Sequence, residues 1–171
     1  LTGLFNRRHF FTLARREFER SLRYGSPLSL IMLDADDLKV VNDHYGHLAG
    51  DQLLEMVADR CQEVLRTVDI LGRYAGDEFV ILLPETNRKG AVAAAERLCK
   101  NVADRVLPAS EGNFRTSISI GIAELEPNCQ SVEMLIERAD QALYFSKRTG
   151  KNHATFWEAN LLSQLQGQIS K

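Results

Sequence analysis

The chain has 171 residues, of which 44% are hydrophobic and 26% charged, and its formal net charge is −2. This length and composition predict one globular domain with a sizeable core, and no apolar run is long enough to span a membrane. The slightly negative charge argues against a general nucleic-acid binder, which is normally basic. The three cysteines lack metal-type spacing and fit small buried side chains in a reducing cytoplasm.

The first half of the chain predicts a helix, a buried strand and a second helix. Asn6 is a suitable N-cap for a helix that runs to about Tyr24, where the sequence Gly-Ser-Pro at 25–27 ends it. The apolar run at 28–33 is typical of a central strand covered on both faces. After a polar stretch, apolar residues repeat at helical spacing over 53–65.

The middle of the chain predicts a β-hairpin followed by a helix. Residues 70–74 and 79–83 read as two short strands, and Ala-Gly-Asp at 75–77 reads as the tight turn between them. Asn87 is the predicted N-cap of the next helix.

The last third predicts a strand, a helix and an edge strand. Isoleucine alternates with Ser and Gly over 117–122, which indicates a strand with one buried face. Ser131 begins the next helix, Gly150 ends it, and residues 154–157 add an edge strand. The order of elements predicts an α/β (α+β) fold, with helices packed on a mainly antiparallel sheet.

Acidic residues follow two of the predicted strands. Asp34 ends the buried strand, Asp36 would share its face if the strand continued, and the hairpin turn adds Asp77 and Glu78. Converging carboxylates repel one another unless a cation lies between them, and Mg²⁺ is a hard cation that is usually shared with phosphates. We therefore favour a metal site for a nucleoside triphosphate over ordinary loop-end acids, with Gly76 allowing close approach of the ligand.

The segment Arg-Tyr-Ala-Gly-Asp-Glu-Phe at 73–79 resembles the signature of the GGDEF domains, the diguanylate cyclases. Four further blocks resemble other signatures of that family, in its order and with its spacing: residues 1–8, 34–43, 46–51 and 139–152. Because these blocks span nearly the whole chain, the resemblance is highly specific.

The resemblance implies a five-stranded, mainly antiparallel sheet flanked by helices, with a ferredoxin-like βαββαβ core similar to the palm of nucleotide cyclases and polymerases. It implies a GGDEF domain over residues 1–157, with 158–171 as a C-terminal tail or the start of a linker. The expected reaction condenses two GTP into cyclic di-GMP and two pyrophosphates. Each domain holds one GTP, so a homodimer is expected, in the cytoplasm, with any membrane tether in segments outside this sequence.

The resemblance also implies roles for the acidic residues. Asp34 and Asp77 would hold Mg²⁺ or Mn²⁺, assisted by the carbonyl of Ala35. Asp77 would also be the general base for the ribose 3′-hydroxyl, with Glu78 as the second choice. Lys39 would stabilise charge on the phosphates.

Four further residues are expected to bind the substrate. Asn42 and Asp51 would read the guanine edge, since a carboxylate accepts from the guanine N1 and N2 hydrogens that adenine lacks. Lys147 and Lys151 would contact the triphosphate. Each has a structural alternative: a turn residue at 42, a helix start at 51, and cations favoured at a helix C-terminus at 147 and 151.

An Arg-x-x-Asp sequence precedes the hairpin turn at the spacing of the family's inhibitory product site. Arg66 and Asp69 would bind cyclic di-GMP there, joined by Arg97. The alternative is an exposed ion pair. We expect product feedback inhibition.

The main departure from the signature is Ala75, which replaces its first Gly and disfavours positive φ. Lys151 also replaces a usual Arg. A second reading therefore stays open, in which the domain is a catalytically weak or silent module that binds GTP or cyclic di-GMP and regulates a larger signalling protein.

Overall fold

The computed structural model describes residues 3–109, 112–161 and 163–164. Its helices are α1 (Arg7–Tyr24), α2 (Leu38–Tyr45), α3 (His47–Val64), α4 (Arg88–Ala103) and α5 (Val132–Arg148). Its strands are β1 (Phe5–Asn6), β2 (Leu28–Ala35), β3 (Ile70–Ala75), β4 (Glu78–Pro84), β5 (Leu107–Ala109), β6 (Gly112–Phe114), β7 (Ile118–Glu124) and β8 (Ala154–Phe156).

The main sheet has six strands in the order β1-β3-β4-β2-β7-β8. The central pairings are antiparallel, and each edge strand, β1 and β8, pairs in parallel with its neighbour. The inner order β3-β4-β2-β7 is that of a ferredoxin-like βαββαβ core, which confirms the predicted fold class. The sheet has one strand more than the expected five, and β5 and β6 form a separate two-stranded ribbon.

Helices cover both faces of the sheet. Along β2, Ile31 and Leu33 point into the core shared with α3 and α4, while Leu30 and Met32 point into the core shared with α1 and α5. Every residue of β2 is buried, as predicted for a central strand. The carboxylate of Asp34 is therefore carried on one of the most enclosed strands of the molecule.

The predicted helix caps are present. The Asn6 side chain accepts a hydrogen bond from the backbone N–H of His9 at 2.9 Å, and Gly25 closes α1 in the left-handed conformation. Asn87 and Ser131 cap α4 and α5 in the same way as Asn6. The three cysteines are free and buried, as expected.

Two local expectations were wrong. Residues 38–45, read as a polar stretch, form α2, whose eight residues bury only Val41. Strand β7 is buried on both faces, because α5 lies so close to it that a Cβ at Gly121 would overlap the backbone of Ala139 and Leu143.

Most of the predicted tail at 158–171 lies outside the described residues. No helix in the described ranges combines the length and the apolar character that crossing a bilayer requires.

Candidate active site

The sheet register brings two of the predicted acids together. Asp34 on β2 lies directly opposite Glu78 on β4, the first residue after the hairpin turn. Asp77 occupies the turn itself, between β3 and β4. The convergence expected from two neighbouring strands is therefore present, and it is set by antiparallel pairing.

The hairpin turn is held by an arginine and is not strained at Ala75. The Arg73 guanidinium donates two hydrogen bonds to the Gly76 carbonyl, at 2.9 and 2.7 Å. Gly76 has a φ of 30°, whereas Ala75 keeps a negative φ and pairs with Glu78 after a bulge in β3. The residue that departs from the family signature therefore sits where an L side chain is tolerated.

Asp34 is a buried carboxylate that forms an ion pair with a lysine. The residue is only 5% exposed, and Lys147 Nζ on α5 lies 2.7 Å from Asp34 Oδ2. Burial raises the pKa of Asp34 to about 6, even though Lys147 favours the charged form; Asp77 and Glu78 add to the increase. A carboxylate this strongly perturbed by burial and like charge is typical of a functional site.

Glu78 and Asp140 extend this electrostatic group. Partial burial raises the pKa of Glu78, and the charge of Asp140 adds to the effect, while Lys147 and Arg7 oppose it. Partial burial also raises the pKa of Asp140, against the influence of Lys147. Sequence reasoning missed Asp140, although its place seven residues before Lys147, two turns along one helix face, was a usable signal.

Asp36 does not join Asp34, because β2 ends at Ala35. Its carboxylate accepts hydrogen bonds from the hydroxyls of Ser117 and Ser119 and from the backbone N–H of Asn152. Asp36 thus ties the end of β2 to β7 and to the loop after α5. Its role in the structure is to connect elements, not to extend the acidic group.

The lysines predicted to bind the phosphates differ in their environments. Lys39 is exposed on the first turn of α2. Lys151 Nζ lies 2.7 Å from Asp37 Oδ1, so Lys151 forms an ion pair with Asp37 and not with Asp34. Lys147 alone among these three lysines contacts a predicted metal ligand.

The two predicted guanine readers lie on the consecutive helices α2 and α3. Asn42 lies on α2, and Asp51 lies in the first turns of α3, immediately after Gly50. The Asn42 amide lies against Gly50, where a Cβ would overlap its Oδ1 atom. Gly50 therefore leaves room for the Asn42 side chain beside Asp51.

The oxygen atoms of the predicted ligands suit a hard divalent cation, but their side chains are not already grouped around one point. Within the described ranges, no three His, Cys, Asp or Glu side chains are grouped as a metal site. Asp34 and Asp77 are oxygen donors, which Mg²⁺ and Mn²⁺ prefer, and Ala35 adds a backbone carbonyl at the end of β2. The residues fit such an ion once Lys147 leaves Asp34.

The predicted inhibitory residues line one cavity of about 210 Å³. Arg66 donates to both carboxylate oxygens of Asp69, with the shorter contact at 2.7 Å, and also to Thr86 Oγ1 at 2.7 Å. Arg97 donates to the Val64 carbonyl at 2.8 Å. The structure brings the three residues together and also contains the Arg66–Asp69 ion pair of the simpler reading.

The chain is similar to a known protein family and to proteins within it. The model of the family described as "Diguanylate cyclase, GGDEF domain" matches residues 1–153. Diguanylate cyclase DosC of Escherichia coli K12 is 39% identical over 94% of this chain and 35% of its own length. Diguanylate cyclase A of Treponema denticola is 37% identical over 94% of this chain and 44% of its own length. The chain thus spans less than half of these two relatives.

Two solved structures have the same fold. The GGDEF domain of DgcB from Caulobacter crescentus, in complex with c-di-GMP, is 32% identical with a TM-score of 0.88, covering 92% of this chain and 91% of that one. A GGDEF domain of TpbB (YfiN) from Pseudomonas aeruginosa is 31% identical with a TM-score of 0.90, covering 96% of each chain. With these likenesses and a family match over residues 1–153, this chain belongs to the diguanylate cyclase GGDEF domain family.

Proposed function

We propose that this domain is a diguanylate cyclase that condenses two GTP into cyclic di-GMP and two pyrophosphates. The observation that carries the proposal is the buried carboxylate of Asp34, which lies opposite a second acid, Glu78, beside the turn acid Asp77. Burying a carboxylate next to another is unfavourable for folding alone, so its presence in this buried position favours a functional role.

The proposed metal ligands are Asp34, Asp77 and the Ala35 carbonyl. When bound, Mg²⁺ or Mn²⁺ would polarise the phosphates and neutralise developing negative charge. Asp77 accepts the proton of the ribose 3′-hydroxyl, with Glu78 as the second candidate. The 3′-oxygen forms a bond to the α-phosphorus of the other GTP, and the bond from that phosphorus to the β-phosphate oxygen breaks, releasing pyrophosphate.

The lysines bind and orient the substrate in this proposal. Lys39, exposed on α2, donates to the phosphates as charge builds up. Lys147 and Lys151 hold the triphosphate. Because one domain presents one turn and one pair of predicted guanine readers, joining two nucleotides requires two domains face to face, and the proposed active form is a homodimer. The proposed setting is the cytoplasm.

The proposal is tested by incubating the dimerised domain with GTP and Mg²⁺ and separating the products by chromatography. We expect cyclic di-GMP from the natural chain and none from Asp77→Ala. Dimerisation is enforced with a fused coiled coil, so that weak self-association does not mimic an inactive site. GTP binding without turnover in the dimer would instead support the regulatory-module reading. Ala75 keeps a negative φ and gives that reading no support from backbone strain.

Guanine recognition predicts an effect of Gly50→Ala. The added Cβ displaces the Asn42 amide, so KM for GTP should rise about tenfold, roughly the loss of one hydrogen bond, with a smaller effect on kcat. Steady-state kinetics measure both constants. In an Asn42→Ala background, Gly50→Ala should add nothing. An additive effect in the double variant would show that Gly50 acts elsewhere.

Product inhibition predicts an effect of Arg66→Ala. Loss of the guanidinium removes the donor from the cavity shared with Asp69 and Arg97, so the cyclase should stay active at cyclic di-GMP concentrations that inhibit the natural chain. The control is Arg20→Ala, since Arg20 is equally exposed (54% for both side chains) and also pairs with an acid three residues away. Unchanged inhibition in Arg66→Ala would exclude this site.

A further inference from the structure

Lys147 forms an ion pair with Asp34, the carboxylate that the proposed function assigns to a metal. Its ammonium lies 2.7 Å from Asp34 Oδ2, whereas Mg²⁺ binds carboxylate oxygens at about 2.0–2.1 Å. A lysine ammonium and a divalent cation on one oxygen would repel each other strongly in a partly buried setting. Lys147 must therefore move before a metal binds Asp34 Oδ2.

Lys147 has the means to move. Its side chain is 37% exposed, and its long flexible stem allows the ammonium to swing toward solvent. Two other carboxylates interact with its charge: Glu78 on β4 and Asp140 on its own helix. Asp140 lies seven residues earlier, on the same face of α5. The released ammonium thus has an acidic partner nearby.

We propose that Lys147 is an internal counter-ion that competes with the divalent metal for Asp34, and that Asp140 is the positioning residue that receives its ammonium when the metal binds. This inference rests on the proposed function, because it assumes that Asp34 is a metal ligand. In the metal-free domain, Lys147 neutralises a carboxylate that would otherwise be buried without a partner.

One consequence is that metal and triphosphate help each other to bind. A triphosphate that draws Lys147 away from Asp34 exposes the carboxylate to the metal, and a metal on Asp34 frees Lys147 for the phosphates. The coupling is reciprocal by linkage. Lys147 would then connect the two binding events through a single side chain.

The matched control is Lys151. It is the same residue type, four positions later, with similar exposure (42%) and an ion pair of the same length, 2.7 Å, but its partner is Asp37. Lys147→Met and Lys151→Met each remove one positive charge from this region. Only the first removes the cation from Asp34.

The test titrates the nucleotide-free chain with Mn²⁺ at pH 8 and measures free Mn²⁺ by electron paramagnetic resonance. Lys147→Met should bind Mn²⁺ about tenfold more tightly than the natural chain, and Lys151→Met within about twofold of it. Asp140→Asn should bind several-fold more weakly, because the displaced ammonium has lost its acceptor.

Two variants separate the possible failures. Asp34→Asn should weaken Mn²⁺ binding and should cancel the gain of Lys147→Met in the double variant. If Asp34→Asn weakens binding but Lys147→Met does not tighten it, the competition is disproved while the metal site stands. If Asp34→Asn leaves binding unchanged, the proposed metal site and the competition both fail.

Discussion

Replacing Asp34 by Asn is expected to abolish cyclic di-GMP formation and, at the same time, to stabilise the domain near neutral pH. The activity falls because an amide is a poor ligand for a hard divalent cation and removes the negative charge that draws it in. We expect a loss of about 10³-fold or more, equivalent to roughly 4 kcal/mol of transition-state stabilisation. Chromatographic assay of the dimerised variant measures it.

The gain in stability follows from the raised pKa of Asp34, about 6 in the folded chain against an ordinary value of 3.8. A carboxylate whose pKa is raised by folding stabilises the fold fully below about pH 4, and this contribution is lost as the pH rises through about 6. The uncharged amide of the Asp34→Asn variant does not titrate and has no such loss. The free energy of unfolding of the variant, relative to the natural chain, should therefore rise by about 1–3 kcal/mol from pH 4 to pH 8.

Urea denaturation at the two pH values measures this difference. The control is Asp59→Asn, which replaces an exposed carboxylate on α3 by the same amide without changing a buried charge. A variant that is inactive but no more stable at pH 8 than at pH 4, relative to the natural chain, would contradict the electrostatic account of Asp34.

Replacing Gly121 by Ala is expected to destabilise the fold by at least about 3 kcal/mol, through overpacking against rigid backbone. The new Cβ would overlap the Ala139 carbonyl oxygen and the Leu143 backbone nitrogen, so helix α5 must move off β7. Because α5 also carries Lys147 and Asp140, cyclase activity should fall with stability. Thermal unfolding and the cyclase assay measure the two effects.

Gly90→Ala is the matched control for this prediction. Its Cβ would approach the Thr86 side-chain methyl at 2.9 Å and Asn87 Oδ1 at 3.7 Å, which are both side-chain atoms and not backbone. Ala is also favoured over Gly inside a helix by up to about 1 kcal/mol. Gly90→Ala should thus be close to neutral or stabilising. Equal losses in the two variants would mean that the close approach at Gly121 is not what limits stability.

Long, periodic elements and the short edge strand β8 were predictable from the sequence, whereas strand β1 and helix α2 were not. The caps at Asn6, Asn87 and Ser131 and the hairpin were recognised, because side-chain capping and turn formation are local. Strand β1 has two residues, and its parallel partner β3 lies more than 60 positions away, so no local pattern indicates the pairing. Helix α2 has two turns and one buried side chain, too few for a visible period.

Some features of the candidate site were also predictable from the sequence, and others were not. The convergence of Asp34 with Glu78 was predictable, since it follows from strand neighbours and a turn. The ion pair between Lys147 and Asp34 depends on how α5 lies across the sheet, which is a tertiary property. Asp36 was expected beside Asp34 only if β2 continued, and β2 ends at Ala35, a strand boundary that is poorly marked in the sequence.

The hydrogen bonds of Asp36 have a consequence for how this domain can diverge. The side chain that joins β2 to Ser117, Ser119 and the Asn152 backbone is separate from Asp34, the carboxylate proposed to serve chemistry. A descendant could lose Asp34 and keep every one of these connections. A single substitution at position 34 should therefore be enough to give a folded but inactive domain. Inactive related domains should keep Asp36 while the residue at position 34 varies.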